Sequence, residues 1–246
     1  MIFENLIFIH IPKTAGSSIQ NSLNNKYKLL FEGTNSFFDH ISADDNTTLG
    51  KTKIRAKSFK RHLPLELIQL SKYCIAKPII TFVRNPFSRA VSLYYECIRS
   101  SFYRNELKLY VNSSFDDFLS IIKDNEYWFT LPMIDWIGEK NINNLDYIGK
   151  FETIDEDISK INKEFKIKIK LKHHNYNNSI GTKYSPPNYI NHYKKDSIIY
   201  KVEQIFQNDF NKFSYNFENF KSFEKKKVSK YFIILNSIKR KIQNLS

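Results

Sequence analysis

The sequence predicts an α/β fold: a central parallel sheet flanked by helices, with a basic helical tail at the C-terminus. Three observations carry this. Twice, a buried apolar run stops at a short turn and passes straight into a helical pattern: NLIFIHI (5–11) into PKTAGSSI, and PIITFV (78–83) into RNPFSRAVSLYYECIRS. Runs that are apolar on both faces mark strands buried in a parallel sheet, and such sheets bind ligands beyond the strands' carboxyl ends. Hydrophobic residues make up 41% of 246, enough for one domain core. Residues 221–246 then combine lysines with apolar residues at helical spacing.

The elements follow in order. The first strand spans 5–11 and ends at Pro12. Ile19 and Leu23, four apart, place a helix from about Ala15. The polar stretch 33–53 is expected to be an irregular loop over the site. Apolar residues at 63, 67 and 70 predict a helix over 63–73, with Pro64 in its first turn. After the strand at 78–83, Asn85 suits an N-cap and Pro86 the first helical position, and apolar residues at 87, 90, 91, 94 and 98 form one stripe. Residues 115–137 and 152–164 read as helices, 147–152 as a short strand-like link and 189–212 as a last helix. FKIKIKLK (165–172) alternates perfectly and reads as an exposed strand with lysines outward; 173–188 reads as a loop. The domain is placed at 1–220, with 221–246 as a basic amphipathic C-terminal helix.

A net charge of +13 calls for an anionic partner without choosing between nucleotide, acidic polysaccharide, nucleic acid and membrane surface. Cys74 and Cys97 sit in no metal or redox spacing and read as small buried residues in a reducing compartment. MIFENLIFIH lacks a basic n-region and a cleavage site, and its apolar run is too short to span a membrane, so the expected location is the cytoplasm.

The two strand–turn–helix junctions carry the chemistry. A helix N-terminus offers unpaired N–H groups and a partial positive charge. Beside one, Gly16 allows close approach, Ser17 and Ser18 add hydroxyls, and Lys13 adds a full charge: a cradle for phosphate or sulfate. It is not a Walker A loop, because the lysine precedes the glycine. At the second junction Arg84 can fork onto a phosphate that a serine from the following helix also reaches; Ser88 and Ser92, four apart, share a face. Arg89 reads as a solvated helix residue. Two such sites imply a ligand with two separated anionic groups.

HIPKTAGSSI (10–19) and FVRNPFSRAVSLYY (82–95) resemble the two signature segments of sulfotransferases that use 3′-phosphoadenosine 5′-phosphosulfate (PAPS), above all the carbohydrate branch that includes bacterial enzymes and the heparan and chondroitin enzymes. Weaker likeness continues through LDYIGKFETIDEDISKI (145–161) and NDFNKFSY (208–215). The resemblance implies a P-loop-NTPase-like sulfotransferase fold, with Lys13 on the 5′-phosphosulfate, Thr14, Ala15, Gly16, Ser17 and Ser18 lining its loop, and Arg84 and Ser92 on the 3′-phosphate. Lys183, in the SIGTKY loop, is a further candidate for that phosphate. Many relatives have an arginine where this chain has Lys150, and a glutamine is expected where it has Met133.

Such a transfer needs a base and no metal. His62 in KRHLPLE is the first candidate, where related enzymes often carry a histidine; His40 is second and Glu32 third. His173 and His174 rank lower, and His10 is expected to pack at its strand end. The implied acceptor is a carbohydrate hydroxyl on a surface polysaccharide or glycolipid, free or lipid-linked. Two other readings share single features: a nucleotide kinase, which should show a Walker A loop, and a basic nucleic-acid-binding protein, which would not require Lys13, Gly16, Arg84 and Ser92 in these positions. The tail reads either as a helix packed on the domain or as an amphipathic helix in peripheral contact with an anionic inner membrane face.

Overall fold

The computed structural model describes residues 1–31, 46–49, 52–55, 62–69, 74, 76–171 and 188–227. Its main sheet holds β1 (Ile2–Phe3), β2 (Ile7–Ile9), β3 (Leu29–Phe31), β6 (Ile79–Val83) and β7 (Tyr147–Lys150), in the order β3-β1-β2-β6-β7. A separate hairpin pairs β4 (Asn46–Leu49) with β5 (Thr52–Arg55), so the stretch read as an irregular loop contains a two-stranded ladder.

The sheet is mixed rather than parallel throughout. β2, β6 and β7 run parallel, but β1 is antiparallel to both β2 and β3. The cause is local: Phe3 N–H donates to Leu6 O at 2.8 Å, closing a tight turn, and strands joined that closely can pair only antiparallel.

Alternation along β2 sends Phe8 to one face and Ile7 and Ile9 to the other. On the first face, Phe8, Ile80 and Phe82 pack under α1 (Gly16–Asn24) and α7 (Ile154–Glu164) through Ile19, Leu23 and Ile161. On the second, Ile7, Ile9 and Val83 meet α2 (Leu65–Gln69), α6 (Met133–Ile137) and α9 (Gln207–Phe213). A third cluster joins α3 (Pro86–Arg99), α4 (Ser101–Leu107), α5 (Phe115–Asp124) and α8 (Asp196–Ile205).

Local chemistry explains where helices start and stop. The Asn85 side chain accepts from Phe87 N–H with Pro86 at the first helical position, as expected for α3. Residues 115–137 are not one helix: α5 ends at Asp124, a 3₁₀ turn spans Trp128–Thr130, and Pro132 restarts the chain into α6. The 189–212 pattern likewise divides into a 3₁₀ turn (Tyr189–His192), α8 and α9.

Residues 165–171 keep their alternation, with Ile167 and Ile169 buried between exposed lysines, but join no sheet. Side chains take the place of a neighbouring strand: Lys168 N–H donates to Tyr27 Oη, Ile169 N–H to Asn162 Oδ1 and Lys170 N–H to Ser22 Oγ. A last helix, α10, covers 217–227 and runs unbroken through position 220, with Phe220 and Glu224 fully buried. Residues 228–246 lie outside the described residues.

Candidate active site

β2 delivers its chain to a turn, Pro12–Ala15, that opens α1. Lys13 and Ala15 both adopt left-handed backbone conformations (φ 66° and 74°) that non-glycine residues enter at a cost of roughly 1–2 kcal/mol. Three donors hold the turn in place. Arg89 Nε donates to Pro12 O at 3.0 Å, Arg84 NH1 to Lys13 O at 3.2 Å, and Thr14 Oγ1 to Ile11 O at 3.0 Å. These donors occupy the carbonyls of Ile11, Pro12 and Lys13. The N-terminus of α1 beyond the turn has no side-chain cap and no acidic residue in its first turn. Ser17 is exposed and Ser18 half-buried at this end, whereas the Thr14 hydroxyl is committed to the turn itself.

Gly16 has a packing reason as well as a binding one. The His10 ring lies where a Cβ on Gly16 would sit, so only glycine lets strand end and helix start close together. His10 is 2% exposed, packed at its strand end as expected. Its carbonyl lies 2.8 Å from His62 Nδ1, and the two rings are 4.3 Å apart. A carbonyl can only accept, so Nδ1 of His62 carries the hydrogen and Nε2 is the basic nitrogen of the neutral ring. Trp128, Phe129 and Trp136 surround that ring at 6.1–6.2 Å between centres.

The second junction lies on the neighbouring parallel strand. Arg84, 6% exposed at the end of β6, donates through Nε to Ser88 Oγ at 2.6 Å while NH1 reaches the first turn. Its guanidinium carbon stands 4.1 Å from the centre of the Phe151 ring and 5.7 Å from that of Tyr189. Ser92 is buried one turn beyond Ser88, and Glu96 follows one turn later. Glu96 accepts from Lys13 Nζ at 2.9 Å. Burial pushes the Lys13 amine below the usual lysine range, and the Glu96 carboxylate opposes that. Burial alone would raise the Glu96 carboxyl, but Lys13 and Arg99 together hold it below the usual range.

The structure thus joins Lys13, Thr14, Ala15, Gly16, Ser17, Ser18, Arg84 and Ser92 at the carboxyl ends of β2 and β6, with His62 behind Gly16 across the His10 ring. Lys183, His40, Glu32, His173 and His174 lie outside the described residues. Arg89 is not solvated. It is fully buried, with NH2 donating to Leu131 O at 2.9 Å, and burial lowers its pKa to about 10 against the pull of Asp209 and Asp135. Met133 and Lys150 serve the scaffold: Met133 Sδ accepts from Arg84 N–H at 3.3 Å, and Lys150 Nζ donates to Phe213 O at 3.2 Å. Sequence reasoning missed Glu96, whose place in the 88–92–96 series was the available signal. It also missed Glu152, which accepts from Asn85 N–H and from Tyr215 Oη, both at 2.8 Å.

Adjacent parallel strands that each lead to a cation beside a helix start form an arrangement that suits an anionic ligand across the strand ends. The family model for the sulfotransferase family matches residues 3–216, and the chain belongs to that family: it is a transferase of sulfo groups. No match was found among curated proteins.

Proposed function

We propose that this chain moves the sulfuryl group of PAPS to a carbohydrate hydroxyl, with His62 as general base. The observation that carries the reading is the hydrogen bond from Arg84 to the Lys13 carbonyl, which makes the two anion-binding junctions one unit. The residues fit such a donor. An uncapped helix start with a lysine suits the 5′-phosphosulfate, and a buried arginine with two serines on one helix face suits the 3′-phosphate. The donor would supply the sulfuryl group and leave as adenosine 3′,5′-bisphosphate.

The protein's part is positioning and charge. Lys13 places its ammonium where negative charge grows on the departing oxygen. Arg84 and Ser92 hold the far end and fix the register. As the acceptor oxygen bonds to sulfur and the bridging S–O bond breaks, the hydroxyl proton passes to Nε2 of His62, whose tautomer the His10 carbonyl sets. The carbohydrate acceptor is supported by the likeness of both signature segments to the carbohydrate branch.

Isothermal titration with adenosine 3′,5′-bisphosphate tests the donor, and a glycan screen with labelled PAPS tests the acceptor. Lys13→Ala should abolish transfer, and Arg84→Ala should weaken bisphosphate binding by about 1.5–3 kcal/mol. Wild-type affinity in both variants would refute the donor assignment. His62→Ala should keep nucleotide affinity and lower kcat by roughly 10²–10⁴; full activity would return the role to His40 or Glu32.

A further inference from the structure

We propose that Lys227, on α10, is a second cationic ligand for the donor's 3′-phosphate, acting together with Arg84 beside the Tyr189 ring. This rests on the reading of Arg84 as a 3′-phosphate ligand. Lys227 lies beyond the 3–216 stretch that the family model matches.

Both cations stand against one aromatic ring. Lys227 Nζ is 4.4 Å from the centre of Tyr189 and the Arg84 guanidinium carbon 5.7 Å. The Lys227 side chain is only 15% exposed, and Glu224, fully buried one turn earlier, accepts from its ammonium at 3.1 and 3.2 Å. An ammonium has three N–H donors, and the contacts to Glu224 account for two. Glu224 fixes where the lysine head sits; it does not explain why a second cation shares the Tyr189 ring with Arg84. Like charges within electrostatic range repel one another, and Arg84 acts on Lys227 in that sense. A phosphomonoester dianion reverses the sign of that interaction by giving both groups a shared acceptor. Phe220, fully buried against Phe87 at the start of α3, packs α10 onto the element that carries Ser88 and Ser92.

The test compares two probes on the full chain: adenosine 3′,5′-bisphosphate and adenosine 5′-monophosphate, which lacks the 3′-phosphate. Lys227→Met keeps the packing over Tyr189 and removes the charge. It should weaken bisphosphate binding about tenfold or more and leave the monophosphate unchanged. Because Lys227→Met leaves Glu224 buried without its counter-charge, the double variant Lys227→Met/Glu224→Gln is measured beside it and carries the test if the single variant melts early. If the Lys227 variants bind the bisphosphate like wild type while Arg84→Ala does not, this proposal falls and the donor reading stands. If Arg84→Ala is also silent, the donor reading falls. Equal loss for both probes would make Lys227 a packing residue and overturn its assignment to the 3′-phosphate.

Discussion

Gly16 shows how a single residue can serve packing and binding at once. The His10 ring fills the space of its missing side chain, and that ring is itself stacked against Phe8 and tilted against His62. Gly16→Ala should therefore cost about 1–3 kcal/mol through overpacking, read as a lower denaturant midpoint, and should also impair bisphosphate binding. Glu96 offers a different test. Burial lowers the Lys13 pKa and Glu96 raises it, so Glu96→Gln leaves burial, Arg84 and Arg99 unopposed. Lys13 would then lose its proton at lower pH. Bisphosphate affinity, followed against pH, should begin its alkaline fall earlier in the variant than in wild type. Lys13, Gly16 and Arg84 were legible because each sits at a fixed offset from a strand end. The 88–92–96 series places Glu96 on the face of Ser88 and Ser92, but its partner and that of Lys227 were not legible, because no local pattern records a contact between residues 13 and 96 or 189 and 227. Arg89 was misread for the opposite reason, since its helical position looks like its neighbours' while its surroundings are wholly interior.

Among the elements, α6 depends on a residue that is distant in sequence. Asp209 on α9 accepts from Met133 N–H at 2.8 Å and from Ile134 N–H at 2.9 Å, capping α6 from outside and facing the buried Arg89. Asp209→Ala should destabilise the protein by about 3 kcal/mol, because two buried donors lose their acceptor. Burial raises the Asp209 pKa from 3.8 to about 6, despite Arg89 and the two N–H donors. The folded state then keeps a proton that the unfolded state releases, so this group's contribution is greatest below the unfolded value and falls as pH rises toward 6. The gap in stability between wild type and Asp209→Asn, measured by urea unfolding, should shrink across that window as pH increases. Strand-to-helix junctions were readable because period and capping residues change there together. The antiparallel β1 was not, because the apolar Met1–Phe3 stands apart from the apolar run that starts at Leu6 by only Glu4 and Asn5, and the two read as one strand region. In 165–171 the alternation gave the buried face, but not that side chains would replace a partner strand.

At the scale of the whole molecule, the net charge is unevenly placed. Residues 228–246 hold four basic residues and no acidic one, amid an apolar series at helical spacing. Each basic residue near an anionic bilayer contributes roughly 1 kcal/mol. The full chain should co-sediment with anionic liposomes at low salt, and a chain ending at Lys227 should remain in the supernatant while still binding bisphosphate. The cut belongs there rather than at Phe220, because Glu224 is part of the packed interior. The site's fastenings also reach far along the chain. Asn85 Nδ2 donates to Asn216 O at 3.0 Å and Glu152 accepts from Tyr215 Oη, contacts that span 131 and 63 residues. Domains condense as units. A chain cut before residue 215 would carry both signature segments and still lack the two fastenings on the second junction, so possession of the signatures alone does not make a finished site.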